Sequence, residues 1–216
     1  MFIFSDFRLI FAPNKNKSNI IMSVKGSITK SDYLPYDEYQ RLVQSLERDG
    51  RYLLCTYCLL SFCLALRISD VLKLSWSDVL GKRSLIVQEK KTGKVKEIAI
   101  GQITSEHISK LYSKMGRPRK TGYIFISEQS GRPYTRQRIN QILKELKDEY
   151  KLNVGNFSSH TFRKTFGRYV YEKKGRSEEA LILLNQIFMH ASLNTTRIYI
   201  GLRDSEMDNI FNSISV

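Results

Sequence analysis

The sequence predicts a mainly α-helical domain carrying one small antiparallel β-sheet. Three observations carry that prediction. Apolar residues recur at helical spacing in several segments, an uncharged apolar run marks a helix buried on all sides, and two β-branched segments flank a single tight turn.

Residues 1–31 begin with MFIFSDFRLIF, which is apolar but lacks the basic start and small-residue cleavage site of a signal peptide. They continue into FAPNKNKSNIIMSVKGSITKS, rich in Asn, Lys, Ser and Gly, which reads as a flexible basic arm. The fold is expected to start near Tyr33, with one domain over 32–216. DEYQRLVQSLERDG sets acids first, Leu42, Val43 and Leu46 at helical spacing, and Gly50 at the end, the signals of a helix. The run Tyr52–Leu66 carries no charge and is shorter than the ~20 residues of a membrane span, so it reads as a core helix. Ser69 and Asp70 are placed to cap a short helix bearing Val71, Leu72 and Leu74.

RSLIVQE and KVKEIAI flank KKTG, where Gly93 can take positive φ, giving a hairpin with a basic tip. A helix is expected from Ser105 to Met115, then the basic loop GRPRK and a short strand over Tyr123–Ser127. TRQRINQILKELKDEY places Ile139, Ile142, Leu143 and Leu146 on one helical face, and three further helical stretches follow in HTFRKTFGRYVYEKKG, SEEALILLNQIFMH and SLNTTRIYIGL. No internal repeat is visible.

With 216 residues, 42% apolar and 26% charged, the chain is a folding chain of ordinary composition and short for two full domains. Its charge is unusual: 35 Lys and Arg against 21 Asp and Glu give +14, which favours a polyanionic partner, either nucleic acid or an anionic surface. Cys55 and Cys58 form a lone C-x-x-C with Cys63 nearby, far in sequence from His107, His160 and His190. Reduced core thiols in a cytoplasmic protein are therefore expected rather than a zinc site.

Groups able to do chemistry sit at four separated places: Arg67 in ALRISD, Lys91 in KKTG, His160 and Arg163 in HTFR, and His190 nine positions before Tyr199. Breaking a phosphodiester with a side-chain nucleophile needs this set. Guanidinium forks hold the non-bridging oxygens, a lysine protonates the departing 5′ oxygen, and a histidine takes the proton of the attacking phenol. Each residue also has a plainer reading. Tyr199 can pack beside Ile198 and Ile200, Arg67 can neutralise a helix C-terminus, and Lys91 can be a solvated turn lysine next to Lys90 and Lys94. His160 and Arg163 can be a helix-start pair, while Arg136 and Arg138 can contact DNA or form a solvated face.

Taken together, ALRISDVLKLSW, KTGK, HTFRKTF and MHASLNTTRIYIG resemble the tyrosine recombinase (phage integrase) family over about residues 33–203. The resemblance implies a tyrosine recombinase catalytic-domain fold, in a compact form lacking the N-terminal core-binding domain. It implies that Arg67 and Arg163 bind the scissile phosphate, Lys91 protonates the leaving 5′ hydroxyl, His160 exchanges the nucleophile's proton, His190 supports the phosphate and Tyr199 attacks. Asp70 matches a bracing carboxylate. Met189 stands where the family usually has Gly. The implied function is site-specific recombination or integration for a phage or mobile element through a 3′-phosphotyrosine, with no metal, ATP or other cofactor. Implied partners are double-stranded DNA, two to four protomers that exchange a C-terminal segment (203–216), and accessory DNA-bending or directionality factors, with no membrane. A catalytically silent DNA-binding remnant and a type IB topoisomerase are the rivals.

Overall fold

The most apolar segment becomes the centre of the fold. In α2 (Tyr52–Cys63) every residue from Leu54 to Phe62 is buried, as expected of a helix that is hydrophobic all round. The amphipathic α1 (Tyr36–Arg48) lays Tyr39, Leu42, Val43 and Leu46 against it, with Asp37 and Glu38 in the first turn and Arg48 in the last. Helices α5 (Gln102–Lys114) and α7 (Thr161–Lys173) cover other faces of α2. An aromatic seam runs between these layers: Tyr39 stacks on Phe62 at 4.2 Å, and Phe162 meets Tyr57 at 6.0 Å and Phe157 at 5.5 Å.

These coordinates are a computed structural model and describe residues 31–88, 95–127, 129–202 and 211–214, all within the unit Ser31–Val216. Between α2 and the hairpin lie two short helices, α3 (Ile68–Val71) and α4 (Trp76–Val79). Strands β1 (Ser84–Gln88) and β2 (Val95–Ala99) pair antiparallel with Ser84 opposite Ala99 and Gln88 opposite Val95. A two-stranded ribbon is marginal by itself. Here Leu85 is buried, and Lys96 donates from Nζ to the Ile187 carbonyl at 3.2 Å, tying β2 to the end of α8 (Glu178–Phe188). α6 (Arg136–Glu149) buries Ile139, Ile142, Leu143 and Leu146, the face read from the sequence, and Thr135 caps it by accepting from the Arg138 amide. Ser177 and Ser192 cap α8 and α9 (Leu193–Tyr199) in the same way.

A second apolar cluster joins α7, α8 and α9 through Leu181, Leu184, Phe188, Ile200 and Leu202, with Phe166 and Tyr199 packed against it. Gly167 makes this approach possible: a Cβ there would lie 2.6 Å from Ile200 Cγ2 and 2.9 Å from Phe188 Cζ.

Several elements differ from the sequence expectation. The residue capping α3 is Arg67, in extended conformation, so Ser69 and Asp70 lie inside the helix rather than before it. α5 begins at Gln102, three residues earlier than expected. α4 went unpredicted because four residues hold no period, although Ser75 and Asp78 form a full capping box around it. Tyr123–Ser127 is not a strand. It makes only isolated bridges, Tyr123 to Ser75 and Ile126 to Pro133, since the partner segments are a turn and a proline that lacks the amide donor a ladder needs. The cysteines are core thiols as expected: Cys55 and Cys58 are buried, Cys63 is half-buried, and burial pushes the Cys55 thiol up to about 12. Among the described residues no helix is long and apolar enough to cross a membrane. Lys90, Lys91 and Lys94, and residues 203–210 of the proposed exchange segment, lie outside the described residues.

Candidate active site

Two corners of the backbone aim at one place. The first follows α2: Ala65 takes a left-handed φ of 47°, and the chain then runs extended through Arg67 into α3. The second follows α8: Met189 takes φ 52°, its amide reaches the Gln186 carbonyl, and the His190 amide reaches the Asn185 carbonyl at 3.2 Å. That pair of bonds is a Schellman cap, whose left-handed position favours glycine because a side chain there is strained. The sequence feature singled out above, Met189 in place of Gly, thus has a structural location: it is the cap residue that delivers His190.

Arg163 ties the corners together. It is 3% exposed, one turn into α7, and its guanidinium donates from one terminal nitrogen to the Ala65 carbonyl and from the other to the Phe188 carbonyl at 2.9 Å. These carbonyls lie at the C-terminal ends of α2 and α8, where the partial negative charge of a helix suits a buried cation. The guanidinium also lies over the Phe188 ring at 4.5 Å, and its charge acts on the Tyr199 phenol.

Tyr199 closes α9 with its ring half-buried, packed edge-on against His190 at 5.0 Å and Phe188 at 5.4 Å. Its hydroxyl lies 3.5 Å from His160 Nδ1, at the outer limit of a hydrogen bond. Burial raises the phenol above its ordinary value, and the charges of Arg163 and Arg67 offset only part of that rise. His160 is pushed the other way: burial lowers its imidazole below 6.5, reinforced by Arg163, Lys164, Arg136 and Arg67. It therefore stays neutral, and able to accept a proton, further into the acid range than a free histidine.

His160 sits where the chain enters α7. The Ser159 amide is held by Asn140 of α6 at 2.9 Å, and Ser158 spans the start of the helix by donating its amide to Thr161 Oγ1 at 3.0 Å. His190 Nδ1 lies 3.0 Å from Thr196 Oγ1, and that hydroxyl also accepts from Asn185 Nδ2 at 3.2 Å. Asp70, 7% exposed in the first turn of α3, accepts from the Ser69 hydroxyl at 3.3 Å.

The structure thus brings Arg67, His160, Arg163, His190 and Tyr199 together from four segments, with Asp70 just behind Arg67. Arg136, exposed at the first position of α6, is near enough for its charge to act on His160. Arg138 points elsewhere, to Glu145 at 3.5 Å. Sequence reasoning missed Lys164, Thr196, Asn185 and Lys96. Only Lys164 left a trace, as the residue following Arg163 in HTFRK, and a lysine in a basic chain is a weak signal.

A profile of the phage integrase family matches residues 32–206. The chain belongs to the phage integrase family. A family relative in Bacillus subtilis (strain 168), named probable integrase/recombinase YoeC, is 33% identical over 138 residues, covering 64% of this chain and 71% of YoeC. Tyrosine recombinase XerD of Halalkalibacterium halodurans is 23% identical over 156 residues, covering 70% of this chain and half of XerD. Among solved structures, the XerA recombinase superposes with a TM-score of 0.61 at 22% identity, over 93% of this chain and 66% of that one. A lambda integrase dimer bound to a COC′ core site superposes with 0.59 at 18% identity, over 84% of this chain and 62% of that one. The integrase-family chain therefore has the catalytic-domain fold of the tyrosine recombinases and spans from half to about 70% of these relatives.

Proposed function

We propose that this protein is a site-specific DNA recombinase of a phage or mobile element, cleaving and rejoining double-stranded DNA through Tyr199. The Tyr199 oxygen attacks phosphorus, forming a 3′-phosphotyrosine as the bond to the 5′ oxygen breaks. The phenolic proton passes to His160, and Lys91 delivers a proton to the departing 5′ oxygen. Arg67 and Arg163 hold the non-bridging oxygens as charge builds on them. His190 supports the same phosphate as an Nε2 donor, the role in which its Nδ1 accepts from the Thr196 hydroxyl 3.0 Å away. Asp70 braces the Arg67 corner.

The phosphotyrosine conserves the energy of the broken linkage, so a 5′ hydroxyl from a partner strand can resolve it without ATP or a metal. On this reading residues 32–216 are the catalytic domain and 1–31 a basic arm. Lys90, Lys94 and Arg136 contact the DNA, at its backbone or base edges, whereas Arg138 is engaged by Glu145. Two protomers occupy each site and four form the synapse, with residues 203–216 exchanged between neighbours and accessory factors setting the outcome.

The observation that carries the reading is the Tyr199 hydroxyl, 3.5 Å from a histidine whose pKa is held low and within reach of the Arg163 and Arg67 charges, in a chain of this family. The test uses a pool of nicked duplexes with randomised cores, incubated with the full chain and resolved on a denaturing gel. A protein-linked strand is expected with wild type and absent with Tyr199→Phe. A band of equal strength in both would remove Tyr199 from the role, and no band in either would favour a silent DNA-binding protein.

A further inference from the structure

A lysine that no part of the proposed reaction uses is buried beside the nucleophile. Lys164 follows Arg163 on α7 and is only 8% exposed, although lysines are almost never buried without a partner. Its Nζ donates to the Ser31 carbonyl at 2.5 Å and stands 5.3 Å from the centre of the Tyr199 ring. The surrounding bonds explain why it turns inward. Residues 31–34 form a strap over α7: the Leu34 amide donates to Thr165 Oγ1 at 2.8 Å, and the Arg168 guanidinium covers the Tyr33 ring at 5.2 Å. Asp32 locks the strap to the loop before α7 with two bonds to Asn156, its amide donating at 3.1 Å and its carboxylate accepting at 2.9 Å. A Cβ placed on Gly201, two residues beyond Tyr199, would lie 3.8 Å from the Tyr33 ring, so that ring stands beside the chain leaving α9. The strap therefore reaches the nucleophile's ring through Lys164 and lies beside Gly201, just past the end of α9.

We propose that Lys164 is a positioning residue, clamping the 31–34 strap to α7 and α9 so that the Tyr199 ring is held in its attacking orientation toward His160. The inference rests on the recombinase reading, with Tyr199 as nucleophile. A misplaced nucleophile loses rate steeply, so a clamp on its ring acts on the step at phosphorus and not on affinity for DNA. The ammonium also belongs to the cationic group facing His160, together with Arg163 on the same helix, Arg136 from α6 and Arg67 from the α3 corner, while Tyr199 faces it from α9. Removing one of those charges raises the His160 pKa toward its ordinary value.

The test uses the full chain in three variants. Lys164→Gln keeps a donor for the Ser31 carbonyl but loses the charge, Lys164→Arg keeps both, and Thr165→Val removes the acceptor of the Leu34 amide without touching Lys164. The His160 ring titration is read by NMR without DNA, with His160→Asn identifying its resonance among three histidines. Adduct formation is read at saturating concentrations of a nicked duplex recovered from the randomised pool. Lys164→Gln is expected to raise the His160 midpoint and to slow adduct formation about tenfold with the half-saturating DNA concentration unchanged. Lys164→Arg should restore both, and Thr165→Val should slow the rate while leaving the midpoint in place. An unmoved midpoint in Lys164→Gln, a loss that appears only in DNA affinity, or a wild-type rate in Thr165→Val overturns the proposal. If the wild type forms no adduct, the recombinase reading fails, and the midpoint still decides whether Lys164 bears on the site.

Discussion

The corner that delivers Arg67 and the corner that delivers His190 are built to one plan and held in different ways. Both end a helix, both turn on a non-glycine residue with left-handed φ, and both give a carbonyl to Arg163. Ala65 turns inside the core at 1% exposure, between Leu64 and Leu66, which are equally buried. Met189 turns at the rim, half-buried, and its corner is fixed by a Schellman cap and the polar chain Asn185–Thr196–His190. One corner is set by packing and the other by hydrogen bonds. It follows that the Arg67 side should resist local change, while the His190 side should be adjustable by single polar substitutions.

The substitution expected to break the comparison most severely is Arg163→Lys, because one ammonium cannot serve both corners. It leaves a buried carbonyl unpaired, so stability should fall by about 3 kcal/mol in urea unfolding, with adduct formation down at least about a hundredfold. Arg67→Lys should slow the adduct comparably with a smaller loss of stability, since Arg67 is half-buried whereas Arg163 is 3% exposed. Next comes Gly167→Ala. A methyl group 2.6 Å from Ile200 must push α9 away from α7, destabilising by about 2 kcal/mol and displacing Tyr199, which a shift in its NMR signal would reveal. Thr196→Val removes the hydroxyl under His190 and should lose about 1 kcal/mol and about tenfold in rate, loosening only the second corner. The gentlest change is Met189→Gly, which relieves the left-handed residue and should raise the melting temperature slightly, by about 0.5 kcal/mol of stability. Ala65→Gly should not, because it removes a buried methyl group from the core.

The pH dependence of adduct formation sharpens the same picture. His160 accepts a proton only when neutral, and its folded value lies below 6.5. The rate should hold as pH drops through 6.5 and fall only at the lower folded value. An acid limb at or above 6.5 would contradict the cationic crowding around His160.

Much of this was legible in the residues. Periodicity located α1 and α6 with the buried faces observed, since 3.6-residue spacing is the direct imprint of a single core, and the uncharged apolar run located α2. HTFR placed His160 and Arg163 one turn apart at the start of α7, and the spacing from His190 to Tyr199 allowed both rings to meet. What could not be read is whatever depends on backbone conformation or on contacts distant in sequence. Nothing in ALRISD announces that Ala65 is left-handed, nor does HTFRK reveal that Lys164 reaches back across the chain to Ser31. The segment Tyr123–Ser127 had the composition of a strand and lacked only a partner of sufficient length.

The central claim is that Tyr199 carries the covalent bond to DNA. The most direct measurement digests the protein–DNA adduct with trypsin and nuclease and identifies the modified peptide by mass spectrometry. The account predicts nucleotide attached through Tyr199 on the peptide Ile198–Arg203, released by cleavage after Arg197 and Arg203. Nucleotide found on any other peptide, or an adduct that persists in Tyr199→Phe, would contradict it.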